Sequence, residues 1–188
     1  MNVAVLGAGN GGFATAADLA LAGHRVRLWS RSASALGPLV GEPALTLVAE
    51  GRQRSARLDR ATTEIADAVD GAEVVIVPLP ATGHADLAER LAPHVNEGQT
   101  ILLTPGTLGS YAMARDLARA GDARPYAIAE TGTLPYLARK TGPATVSAPV
   151  RAANLPRGVF PASRSEPTGS ASRAIANRNP RLAGLGEL

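Results

Sequence analysis

The chain opens with an apolar run, Val3-Ala4-Val5-Leu6, which passes directly into Gly7-Ala8-Gly9-Asn10-Gly11-Gly12 and then into an Ala- and Leu-rich stretch. Residues 2–7 read as a buried parallel strand and residues 11–22 as a helix, with Gly23 well placed just after its end. Val26 and Leu28 alternate with polar neighbours in His24-Arg25-Val26-Arg27-Leu28-Trp29, which predicts a second strand. Residues 32–40 suit a short helix before the Gly37-Pro38 and Glu42-Pro43 breaks. Residues 44–58 suit two short strands around Gly51, and Thr63 to Val69 a brief helix. Glu73 to Val77 is a strongly β-branched strand, stopped by Pro78 and Pro80. A helix over 83–92, a strand over 99–103, a helix over 107–120 and a strand from Tyr126 to Ala129 follow. Residues 144–160 read as extended pieces broken by Pro149 and Pro156.

Strand and helix alternate, so the expected fold class is α/β: a doubly wound, mostly parallel Rossmann-type sheet with helices on both faces and right-handed crossovers. The expected domain spans 1–162. From about residue 163 the text changes to Ser, Arg, Asn and Gly with little apolar periodicity, so 163–188 is expected to be an irregular or disordered tail.

Composition narrows the class. The chain has 188 residues, of which 45% are hydrophobic but only 3% aromatic, so a full core must be built from Ala, Val and Leu. There is no cysteine, which removes disulfides and thiolate chemistry. No apolar stretch reaches membrane-spanning length, and no basic leader precedes the first strand, so a cytoplasmic protein is expected. The net charge is +3, and Lys140 is the single lysine among 19 basic residues. The Arg and Ala bias reads as the mark of a GC-rich gene. Scattered basic residues and few aromatics argue against nucleic acid, and an anionic small ligand fits better. The three histidines lack metal-ligand spacing, so no metal is assigned.

A strand, a Gly-x-Gly-x-x-Gly turn and a helix, in that order, make a dinucleotide-binding unit. Gly7 permits the turn, Gly9 lets backbone approach a pyrophosphate, and Gly12 lets the helix pack on the strand. Asn10 and Gly11 complete the turn, where the helix points free N–H groups at phosphates. The second strand ends at Ser30, Arg31 and Ser32 with no carboxylate to take a ribose 2′-OH. A guanidinium and two hydroxyls suit a 2′-phosphate, so NADP(H) is favoured, with NAD(H) the alternative.

Several segments resemble the octopine/nopaline dehydrogenase family, the opine dehydrogenases. They are the opening turn, Phe13 to Ala22, and Gly23 to Trp29. Further along are Val75 to His84, Leu103 to Ser110, and Glu130-Thr131-Gly132-Thr133-Leu134-Pro135-Tyr136 with Arg139. The resemblance covers roughly residues 1–165. It implies reductive condensation, in which an α-keto acid and an amino acid form an imine that accepts hydride from the reduced nicotinamide. It also implies a helical C-terminal domain carrying the catalytic histidine, so the catalytic residues are expected outside this chain. The text after Arg164 would then be truncated or frame-shifted. Glycerol-3-phosphate dehydrogenases and ketopantoate reductases share the opening turn, but the Glu130 to Tyr136 segment argues against them. A stand-alone dinucleotide-holding module without turnover is the competing reading.

Further candidates line the same edge. Pro78, Leu79 and Pro80 follow a central strand and border a nicotinamide ribose, or simply terminate the strand. His84 contacts cofactor or substrate, or starts a helix. Thr104 and Gly106 admit the nicotinamide, or form a plain turn. Glu130 and Thr131 bind the carboxamide or orient substrate, or form a helix N-cap turn. Arg139 pairs with a substrate carboxylate, or is a solvated charge. None of these is a convincing proton donor for imine reduction. An exposed apolar patch is expected where a second domain would pack, and a homodimer would cover it.

Overall fold

A computed structural model describes residues 1–121, 127–152 and 155–164. In chain order, β1 (Asn2–Leu6), α1 (Asn10–Leu21), β2 (Arg25–Trp29) and the short α2 (Ala33–Leu36) lead into a hairpin of β3 (Ala44–Ala49) and β4 (Arg52–Arg57). Then come β5 (Arg60–Thr62), α3 (Ile65–Val69), β6 (Val74–Val77), α4 (His84–Leu91), β7 (Thr100–Leu103), α5 (Gly109–Arg119) and β8 (Ala127–Thr131). After β8 follow β9 (Tyr136–Gly142), β10 (Thr145–Arg151) and β11 (Arg157–Phe160).

The main sheet has seven strands in the order β11-β8-β7-β6-β1-β2-β5. Six run parallel, and only β11 pairs antiparallel, against β8. Strands buried on both faces need apolar residues at every position, and β6 and β7 are buried throughout. Val5, Leu28, Ile76 and Leu102 pack toward α1. Leu6, Val77, Ile101 and Leu103 pack toward α3, α4 and α5. The Rossmann-type α/β expectation holds, with helices on both faces.

The α1 side carries a layer that the sequence reading lacked. A second sheet, in the order β4-β3-β10-β9, lies over α1. It explains a helix apolar all round: Gly12 through Leu19 are buried because α1 is sandwiched between two sheets. Small residues suit this position, since Ala14, Ala16 and Ala17 let both sheets approach closely. Inside the layer, buried Asp18 accepts a 2.9 Å hydrogen bond from the Tyr136 hydroxyl. It also pairs with the Arg151 guanidinium.

Three local expectations change. No helix starts near Thr131 or Thr133; β8 runs to Thr131 and β9 follows. β10 passes through Pro149, which is exposed and sits where the pairing with β9 shifts register between Ser147 and Val150. A proline at a bulge removes no ladder hydrogen bond. The short β5 extends the sheet beyond β2. Tyr126 and residues 165–188 of the expected tail lie outside the described residues. Among the described residues, no helix is long and apolar enough to cross a membrane.

Candidate functional site

Parallel strands all point the same way, so the residues that follow them collect along one edge. Backbone hydrogen bonds stitch that edge: Gly7 N to Trp29 O at 2.9 Å, Ser30 N to Thr62 O at 3.2 Å, and Thr104 N to Val77 O at 3.0 Å. Gly106 N reaches Thr131 O at 2.9 Å. After β1 the chain crosses to β2 on one side, whereas β6 lies on the other side of β1. Their carboxyl ends therefore flank the crevice where doubly wound sheets bind ligands.

The glycine turn sits at that crevice. A Cβ on Gly12 would overlap the Gly7 carbonyl oxygen, so only glycine lets α1 start this close to β1. Gly7 has φ of +141°, and its Cβ would fall 2.7 Å from Leu79 Cδ2. Pro78 packs beside Gly11 and Gly12, so the loop after β6 buttresses the turn from behind. A Cβ on Gly9, in contrast, would meet nothing within 4 Å among the described residues. α1 carries no side-chain cap and no acidic residue in its first turn. Its leading N–H groups therefore face the crevice with nothing negative of their own nearby.

At the end of β2, Ser30 is buried and its Oγ accepts from Ser32 N at 3.3 Å, while Ser32 Oγ and Ser34 Oγ share a 2.6 Å hydrogen bond. Arg31 is exposed, with its guanidinium 3.6 Å from Asp86 on α4. Arg90 holds the same carboxylate from one helical turn away. The hydrogen bond from Arg90 lowers the Asp86 pKa and outweighs the opposing effect of desolvation, with the charges of Arg90 and Arg31 adding to the lowering.

His84 opens α4 and is buried, its Nε2 3.2 Å from Leu79 O. Its Nδ1 side packs against Gly109 at the start of α5. Thr104, after β7, is also buried, and among the described residues its hydroxyl has no hydrogen-bond partner. Gly106 is bare because Glu130 fills the space where its Cβ would stand. The Glu130 carboxylate accepts from Leu108 N at 3.1 Å and Ser110 N at 2.8 Å. It thus caps α5 from a neighbouring strand, a long-range version of the N-cap. Thr131 Oγ1 donates to Thr133 O at 2.8 Å. Arg139 is exposed on β9, on the face of the second sheet turned away from α1. His24 and His94 lie at the other end of the strands. Among the described residues, no three His, Cys, Asp or Glu side chains converge on a metal-sized site.

One residue beside the turn escaped the sequence reading. Lys140 Nζ donates to Ala8 O at 3.3 Å and to Ala35 O at 3.2 Å, and lies 3.6 Å from the centre of the Phe13 ring. Its backbone N–H donates to Asn10 Oδ1 at 2.9 Å, so the Asn10 side chain grips β9. Burial pushes the Lys140 ammonium below the ordinary lysine value. The available signal was compositional: a lone lysine in a chain that otherwise uses arginine.

Residues 2–107 match the family described as NAD-dependent glycerol-3-phosphate dehydrogenase N-terminus. Opine dehydrogenase of Arthrobacter sp. (strain 1C) is 35% identical over 144 residues, 77% of this chain and 40% of that protein. Among solved structures, octopine dehydrogenase with NADH and L-arginine shares the fold with a TM-score of 0.80 at 23% identity, over 96% of this chain and 47% of that one. A PanE/ApbA family ketopantoate reductase from Ralstonia eutropha JMP134 gives 0.68 at 22% identity, over 94% of this chain and 53% of that one. The chain thus spans about half the length of these relatives, or less.

Proposed function

Because this chain belongs to the family of the NAD-dependent glycerol-3-phosphate dehydrogenase N-terminus, and is an NAD(P)-binding dehydrogenase domain related to opine dehydrogenase, we propose that it binds NADP(H) in preference to NAD(H), for hydride transfer of the opine type. One observation carries the binding reading: Gly12 is pinned against the Gly7 carbonyl while Gly9 is left open, over a helix start free of acid and cap. That is the division of labour a pyrophosphate requires of the three glycines. Gly7, Gly9, Gly11, Gly12 and the leading amides of α1 would hold the pyrophosphate, with Asn10 fixing the turn. Ser30, Arg31 and Ser32 would hold the adenosine ribose and its 2′-phosphate. Pro78, Leu79, Pro80, Thr104 and Gly106 would border the nicotinamide half. Buried His84 and Thr131 and part-buried Glu130 would shape its walls, because their polar atoms are already engaged by protein groups.

The bound cofactor supplies hydride, and the acceptor proposed is the imine of an amino acid and an α-keto acid. The match to opine dehydrogenase favours this over glycerol-3-phosphate chemistry, since it extends over 144 residues whereas the family match ends at residue 107. Proton donation and substrate recognition are assigned to groups outside this chain, with Arg139 the weakest candidate given its exposed position. A cytoplasmic location and a homodimer covering exposed Leu108 and Tyr111 complete the proposal.

Calorimetric titration of the chain with NADPH and, separately, NADH tests it. Tighter NADPH binding supports the assignment of Arg31, whereas tighter NADH binding sinks that assignment and keeps the fold reading. Saturable binding with no oxidation of any opine, under excess NADP, would favour a holding module without turnover.

A further inference from the structure

We propose that Lys140, carried in by the second sheet, is an anion-binding residue of the dinucleotide site that serves the cofactor pyrophosphate. The inference rests on the dinucleotide reading above and adds to it a residue and a layer of the fold.

The argument starts from what surrounds the ammonium. Its two hydrogen-bond acceptors, Ala8 O and Ala35 O, are neutral carbonyls, and its third neighbour is the face of Phe13. Among the described residues no carboxylate pairs with it, and burial is the sole cause acting on its pKa. A half-buried cation without a counter-charge is a poor stabilising device. A methionine of similar length would fill the same space without the desolvation cost. The location supplies a reason for the charge. Ala8 lies between the first two glycines of the turn, and Ala35 lies in the helix that follows the Ser30-Arg31-Ser32 loop. The ammonium therefore bridges the two segments that would hold the pyrophosphate and the adenosine ribose. The β9 backbone is registered on the same spot by Asn10. A bound pyrophosphate would bring the missing negative charge close to the ammonium and to the N-terminus of α1.

The alternative is a strut that merely fastens β9 to α1, and the two roles separate by experiment. ADP-ribose, which carries the pyrophosphate without the nicotinamide, is titrated into the full chain and into K140M and K140R, with thermal midpoints recorded in parallel. The expected result is an affinity loss of about tenfold in K140M, the scale of one charge-assisted contact. K140R should recover most of the loss, and the K140M midpoint should stay level or rise. A K140M protein that binds like wild type, or melts lower with unchanged affinity, overturns the proposal in favour of the strut.

A second measurement covers a K140M protein that fails to fold. Lys140 is the sole lysine, so acetylation by an amine-reactive ester, read on its peptide by mass spectrometry, reports on it alone in the wild-type chain. Saturating ADP-ribose should slow that acetylation several-fold, and an unchanged rate overturns the proposal. Folded wild-type chain that binds none of ADP-ribose, NADPH and NADH overturns the dinucleotide reading and this inference together.

Discussion

Asp18 and Arg151, separated by 133 positions in sequence, form an ion pair at the interface between α1 and the second sheet. Asp18 is 1% exposed, and Tyr136 adds a hydrogen bond to it from β9. A carboxylate this deep is tolerated because a guanidinium and a hydroxyl meet it together. The pair thereby fixes which way the second sheet lies on the helix that opens the site.

Replacing Arg151 with methionine removes the guanidinium that faces that buried carboxylate. The expected loss is about 3 kcal/mol, the lower end for breaking one side of a buried pair. Urea denaturation of R151M against wild type measures it, and the double variant with D18N should recover part of the loss.

Two glycines of the turn, Gly12 and Gly9, should fail in different ways. G12A forces a methyl into the Gly7 carbonyl, so it should lower stability by about 3 kcal/mol or prevent folding. G9A has open space and a permitted φ of −80°, so its stability should stay within about 0.5 kcal/mol of wild type. Its dinucleotide affinity should nonetheless fall at least about tenfold, because the methyl meets the ligand and not the protein. Thermal melts and calorimetry on both variants separate packing from binding.

Arg31 is the discriminating residue of the proposed cofactor preference. R31A should weaken NADPH by about tenfold, the worth of one charge-assisted contact to a phosphate, and leave NADH within about twofold. Equal losses for both cofactors would remove the residue from the 2′-phosphate site.

Glu130 caps α5 through Leu108 N and Ser110 N. E130A should cost about 1–2 kcal/mol, as for loss of a helix cap. Amide hydrogen exchange should show the loss concentrated at Leu108 and Ser110.

Asp59 makes one contribution to acid stability traceable. Hydrogen bonds from Arg27 and then Arg25 hold its carboxyl below the ordinary value of 3.8, outweighing partial burial. The unfolded chain binds that proton first as pH falls, so the contribution is complete well above pH 3.8 and is lost as pH drops through the folded value. D59N should therefore flatten the fall of stability with acidification in that window, as read from melting midpoints between about pH 5 and 2.

Much of the site was legible because it lies at strand ends. Gly7, Ser30, Pro78, Thr104 and Glu130 each follow or end an apolar run, and parallel strands bring their ends to one edge whatever the details. The partners at that edge were less legible. Gly106 reads equally as space for a ligand or as a turn, and it is the Glu130 side chain, 24 positions on, that occupies the space. Arg139 looked like a carboxylate partner, yet strand alternation turns it outward while its neighbour Lys140 turns toward the glycine turn. A one-residue difference in register would exchange the two, and register is set by pairing across β9 and β10.

From its own text the chain determined the strand–turn–helix start, the order of strands and helices through β8 apart from the short β5, and the main-sheet class. Those features depend on local periodicity and on glycine conformations that neighbouring residues specify. Only tertiary structure decided that two distant strand pairs, 44–57 and 136–151, join into a second sheet over α1. The parallel pairing of β3 with β10 joins segments about a hundred positions apart, and no local pattern encodes which distant partner an exposed edge will find. The ammonium of Lys140 and the carboxylate of Asp18 acquire their roles from that pairing, because burial and counter-charge are properties of the assembled layers.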